Sequence, residues 1–131
     1  MPIVTAFYGS LLGLFYMGLS MNVIRNRFRY RQSLGSGKEA RLEKAIRIHG
    51  NFSEYVPLIL ILMGFLEMGG SGHGEMHFFG VCLLLGRGLH VIGLVTKEGA
   101  NLARQVGMLA TFTSLIGVSI KLIVIALEKG L

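Results

Sequence analysis

The run IVTAFYGSLLGLFYMGLSMNVI, Ile3 to Ile24, contains no charged residue. About 20 mostly apolar residues carry a helix across the hydrocarbon core of a bilayer, and this run reaches that length. No basic stretch precedes it, and it is longer than the apolar core of a secretory signal, so it reads as a retained membrane span. Gly9 and Gly13 stand four apart within it, a small-residue step that permits close helix packing.

Outward from this run the pattern repeats three times. A basic segment from Arg25 through Arg27, Arg29 and Arg31 to Lys38, Arg41, Lys44 and Arg47 holds 8 of the 13 Lys and Arg residues, with Gly35-Ser36-Gly37 as a flexible break. A second span is expected over Ala45–Met68, almost purely aliphatic and aromatic from Val56 to Leu66, with Pro57 able to kink it. The stretch Gly69–Glu75 reads as a turn. A third span is expected over about Met76–Val95, then a short loop with Lys97 and Glu98, then a fourth over about Ala100–Leu127.

Composition agrees with this division. Of 131 residues, 52% are hydrophobic and only 15% charged, against roughly 25% charged in an average soluble domain. A soluble bundle also needs charges around every helix, whereas here they are bunched. The expected fold is an all-α integral membrane four-helix bundle, one domain over residues 1–131. The net charge of +6 is better explained by a juxtamembrane basic cluster than by a nucleic-acid surface, so no nucleic-acid partner is expected. Cys82, the lone cysteine, lies in an apolar run and reads as packing. His73 and His77 stand around Glu75 without a recognised ligand spacing, and no metal is expected.

Lys and Arg concentrate in loops on the cytoplasmic side. The loop between spans one and two, and the weaker one between three and four, are therefore expected to face the cytoplasm. Both termini and the glycine-rich turn fall on the other side.

Polar and ionisable groups within a membrane helix are costly and mark function by default. Here they are Arg47, His49, Asn51 and Glu54 on helix two, Arg87 and His90 on helix three, Arg104 on helix four, and Lys121. Arg25, one turn after Asn22, closes helix one. Topology places all but Lys121 in one leaflet; Lys121 is near enough to the far end to snorkel. At about 100° per residue, Arg47, Asn51 and Glu54 share a stripe with Glu43, and Arg87 shares a face with His90. His49 and Ser53 lie on the other side of helix two, toward a different contact or a neighbouring subunit. Some of the charge can pair internally, Arg47 with Glu54 or Glu43. Four arginines nevertheless face one or two carboxylates, and unpaired charge in a partly dry site calls for an anion. Asn51 and Glu54 remain to receive an ammonium or a peptide group. An enzyme with an anionic co-substrate fits, and so does a non-enzymatic binding or transport protein for an anionic metabolite or lipid.

The run Arg47-Ile48-His49-Gly50-Asn51-Phe52-Ser53-Glu54-Tyr55-Val56-Pro57-Leu58 resembles the helix-two signature of the MAPEG family, the membrane-associated proteins in eicosanoid and glutathione metabolism. The family pattern is close to R-x-[QH]-x-N-x-x-E-x-x-P. The resemblance extends along the chain through the basic first loop and the arginines of spans three and four. It implies a homotrimer in a bacterial inner membrane, with glutathione as co-substrate bound between subunits at the cytoplasmic side and an apolar electrophile as second substrate. It also implies that Arg25, Arg47, Asn51, Glu54, Tyr55, Arg87 and His90 bind glutathione and that Arg104 stabilises its thiolate. The implied activity is a membrane glutathione transferase, with glutathione-dependent peroxidase chemistry as a companion. Eicosanoid-making relatives often carry tyrosines where this chain has His90 and Leu94, which favours a general bacterial-type transferase.

Overall fold

The computed structural model describes residues 1–96 and 101–130, so the Lys97–Glu98 loop and the expected start of the fourth span at Ala100 lie outside the described residues. Four helices follow one another: α1 (Ile3–Tyr30), α2 (Ala40–Met68), α3 (His73–Thr96) and α4 (Leu102–Glu128). Each is long and apolar enough to cross a membrane, and no strand occurs among the described residues. The integral membrane four-helix bundle read from the sequence is the observed fold.

The helices outrun the expected spans. α1 continues six residues past Ile24 because Arg25–Tyr30 holds no glycine or proline, and a helix need not stop where the bilayer does. It ends at Arg31, whose φ of 52° is left-handed, while the Gln32 N–H turns back to the Arg27 carbonyl at 3.1 Å. Arg27 then ties the loop down, its Nη1 donating to the carbonyls of Gln32, Ser33 and Gly35 at 3.0–3.3 Å. At the other end, α3 already begins at His73, so Glu75 belongs to its first turn and the glycine-rich turn is shorter than expected.

The core lies along the bundle axis, where Leu12, Ile59, Met63, Leu66, Met76, Leu83 and Val118 are all buried. Large apolar side chains such as Leu14, Phe7, Ile61, Leu85, Leu109 and Ile123 point outward from all four helices. In water such a surface would drive association, whereas in lipid it is the expected exterior.

The tight seam is between α3 and α4, and glycine makes it. A Cβ on Gly86 would stand 2.9 Å from the Gly107 carbonyl oxygen, and one on Gly107 would stand 2.6 Å from the Gly86 oxygen and the His90 amide. The buried stripe of α4 is accordingly small, Gly107, Thr111, Ser114 and Val118, and the Ser114 hydroxyl donates across the seam to the Phe79 carbonyl at 2.9 Å. The Gly9–Gly13 step of α1 does not do this work. A Cβ on Gly9 would meet only Leu60 at ordinary contact distance, and one on Gly13 would meet nothing. Close approach depends on what lies opposite a glycine, not on its spacing alone.

At the end of the bundle away from the basic segment, polar groups pair off. The Glu67 carboxylate accepts from the Val4 and Thr5 amides at 2.8 Å each, capping the otherwise unsatisfied first turn of α1. Tyr8 and His77 Nδ1 are 3.1 Å apart. Lys121 does not merely snorkel; its ammonium meets Glu75 at 2.8 Å.

Candidate functional site

At the basic end the polar residues of three helices enclose a cavity of about 420 Å³. α2 contributes Arg47, Gly50, Asn51 and Glu54, α3 contributes His90 and Leu94, and α4 contributes Arg104. Gly50 has no side chain and open space around its Cα, so the mouth stays open along this side of α2. Arg47 reaches back one turn to Glu43 at 3.3 Å, on a well-exposed surface. A pair this exposed is worth at most about 1 kcal/mol, so Arg47 can be drawn to a ligand at little cost.

Arg87 lies behind this wall and not on it. Its side chain is fully buried, and its Nη2 donates to Asn51 Oδ1 at 2.6 Å. Its guanidinium carbon stands 5.8 Å from the Tyr55 ring centroid, a cation–π distance. Tyr55 is in turn wedged against Phe112 of α4, centroids 5.7 Å apart. Arg87 Nε and Nη1 and His90 Nδ1 are buried without a hydrogen-bond partner.

The Arg87 contact also sets the direction in which Asn51 works. Its carbonyl oxygen faces the guanidinium, so the NH₂ is the group left for the cavity. Asn51 is thus a donor toward a ligand and does not receive an ammonium; among the cavity residues Glu54 is the carboxylate that can.

Arg104 is placed through its own backbone by the Asn101 side chain. Asn101, at the N-cap of α4, accepts from the Arg104 amide at 3.0 Å, and its own Nδ2 donates to the Gly93 carbonyl of α3 at 2.6 Å. Gly93 is what lets the first turn of α4 come so near, since a Cβ there would stand 2.6 Å from the Arg104 nitrogen. The Arg104 side chain borders the polar cavity on one side. On the other it borders an apolar groove of about 400 Å³ running down α4 past Met108, Leu109 and Phe112.

Of the residues singled out from sequence, Arg47, Asn51, Glu54, His90 and Arg104 come together around the cavity. Arg87 and Tyr55 support it from within. Arg25 is exposed on α1 and does not border it, so within one chain three helices form the site and not four. His49 does face the other way. It stacks on Tyr16, centroids 4.7 Å apart, and lies 3.1 Å from the Ser20 hydroxyl, while Ser53 donates to the Tyr16 hydroxyl at 3.3 Å. Asn101 was missed, although an Asn just before an apolar helix is an N-cap signal. Among the described residues, no three His, Cys, Asp or Glu side chains gather as a metal site would require.

No solved structure matches the chain. It is 40% identical over 113 residues, 86% of its length, to the inner membrane protein YecN of Escherichia coli, and covers 85% of that relative. The YecN sequence of a second Escherichia coli strain matches equally well. The model of the MAPEG family matches residues 5–124, which takes in all the cavity residues. This four-helix membrane protein therefore belongs to the MAPEG family.

Proposed function

We propose that the chain is a membrane-bound glutathione transferase acting on apolar electrophiles. The observation that carries this reading is the place of Arg104, at the junction of a polar, cation-rich cavity and an apolar groove. A tripeptide thiol with two carboxylates and one ammonium matches the first, and a lipid-soluble electrophile matches the second.

In this reading Arg47 takes a glutathione carboxylate, Glu54 the ammonium, and the Asn51 NH₂ a peptide carbonyl. Arg87 lends positive potential and orientation from behind, His90 meets the ligand from the α3 side of the cavity, and Tyr55 holds Arg87. Arg25 completes the site from an adjoining copy in a homotrimer, with the site on the cytoplasmic side of a bacterial inner membrane. A free thiol ionises near pH 8.5, and adjacent cations lower that value. Arg104 is permanently charged, so it stabilises the thiolate and does not accept the proton, which passes to water. The thiolate sulfur then forms a bond to the electrophilic carbon as the leaving group departs with its electron pair. With a hydroperoxide, two glutathiones supply two electrons and yield the disulfide, an alcohol and water.

The test is rapid mixing of the detergent-purified protein with glutathione, followed by ultraviolet absorbance, alongside conjugation of chlorodinitrobenzene. A thiolate signal and conjugate formation are expected, both lost in Arg104→Ala. Neither thiolate nor conjugate in the unmodified chain would overturn the reading. Tight glutathione binding without turnover would make the protein a binding or transport component instead.

A further inference from the structure

The basic end holds a second recess, of about 220 Å³, between the end of α1, the start of α2 and the end of α3. It shares no residue with the cavity at Arg47 and Arg104. On α2 it uses Arg41, Lys44, Ala45 and Ile48, centred about 100° round the helix from the Arg47–Asn51–Glu54 stripe, given about 100° per residue. The two openings face different directions.

The rim carries Arg29, Arg41 and Lys44 with the amides of Asn22 and Asn26, and no carboxylate. Asn22, Asn26 and Arg29 follow at i, i+4 and i+7, so α1 presents them on one face. Asn26 Nδ2 is tied to the Asn22 backbone carbonyl at 2.8 Å and to its Oδ1 at 3.2 Å, which leaves Asn22 Nδ2 as a donor. Lys44 makes one long contact, 3.4 Å to the Val95 carbonyl, and keeps two of its three donors. Among the described residues none of the three cations meets a carboxylate, whereas Lys121 at the opposite end does. Ala45 and Ile48, both buried, make the floor apolar, and the exposed Val95 adds apolar surface to the lining.

Three like charges crowded into so small a recess repel one another, and a bound anion relieves that repulsion. Guanidinium forks and an ammonium are suited to phosphate oxygens. The apolar floor suits an organic tail and not a bare ion. We propose that this recess binds a phosphate ester, with the phosphate on the Arg29, Arg41 and Lys44 rim and the ester's carbon chain over Ala45, Ile48 and Val95. An anionic phospholipid headgroup and a soluble phosphate ester share this chemistry. The proposal does not depend on the glutathione reading, because the two sites have no residue in common.

The experiment follows the thermal unfolding midpoint of the full chain in an uncharged detergent. The probes are short-chain phosphatidylglycerol, phosphatidylcholine of the same chain length, and glycerol phosphate, all at one ionic strength. Phosphatidylglycerol is expected to raise the midpoint where phosphatidylcholine does not. Arg41→Gln and Lys44→Gln are each expected to weaken its apparent affinity about fivefold, the contribution of one cation beside an anionic headgroup. Glutathione binding should be unchanged in both. Arg29→Gln, at an exposed position, serves if either variant fails to fold. A response to phosphatidylglycerol alone assigns the recess to lipid, and an equal response to glycerol phosphate assigns it to a soluble ester. Equal effects of the two lipids with none from glycerol phosphate, or a response untouched by any of the substitutions, would overturn the proposal.

Discussion

Arg87 of α3 and Asn51 of α2 are joined by a 2.6 Å hydrogen bond, the one side-chain bond that the buried guanidinium makes among the described residues. Removing one member strands the other. Asn51→Leu should lower stability by about 3 kcal/mol, the cost of a buried charge that loses its partner. The Arg87→Met, Asn51→Leu double variant should recover part of that loss, because both polar groups are then gone. Detergent-denaturation midpoints of the two single variants and the double decide this; strictly additive losses would count against it.

Gly107 should be intolerant of even one methyl group. A Cβ there would press on the Gly86 carbonyl and the His90 backbone, and such overpacking costs about 1–3 kcal/mol. Gly13→Ala, with open space around it, should be neutral or should stabilise by up to about 1 kcal/mol, as expected in a helix interior. Comparing thermal midpoints of the two alanine variants tests the contrast.

Glu67→Gln should loosen the start of α1. The carboxylate holds two amides of the first turn, and losing a charged cap of this kind costs about 1 kcal/mol. Hydrogen exchange should quicken at Val4 and Thr5 while the cavity residues keep their protection. Uniform quickening along the chain would show a global role instead.

Asn101→Ala removes both the α4 cap and the bond to Gly93. Stability should fall by about 1 kcal/mol. If the transferase reading holds, turnover should fall while glutathione affinity changes little, since Arg47, Asn51 and Glu54 are untouched. Steady-state kinetics with glutathione as the varied substrate separate the two effects.

The bundle was legible because its charges are segregated. Ile3–Ile24 carries none, and that alone sets a span length. Helix ends were less legible, because the chain leaves the bilayer before Arg25–Tyr30 stops being helical, and because α3 starts at His73 in spite of Gly74, with Glu75 in its first turn suited to the positive end of the helix. The cavity stripe of α2 followed from spacing, since Arg47, Asn51 and Glu54 repeat at the helical period and Arg87, His90 and Arg104 fall at the same depth. That Arg87 supports Asn51 from behind needed the third dimension. Which of 19 glycines are seats for a neighbouring backbone also depends on what packs opposite, so the Gly9–Gly13 step suggested contact where Gly86, Gly93 and Gly107 provide it.

The seam between α3 and α4 has a mechanical consequence. Its glycine seats occur at successive levels, Gly117 against the Phe79 ring, Gly107 against Gly86, and Gly93 against the start of α4. Sliding one helix along the other would drive side chains into each of these seats at once, so the pair is geared against translation. His90 and Arg104 ride on the two halves of that gear and keep a fixed separation. The α3–α4 side of the polar cavity is therefore a rigid wall, and the Arg87–Asn51 bond ties α2 to it.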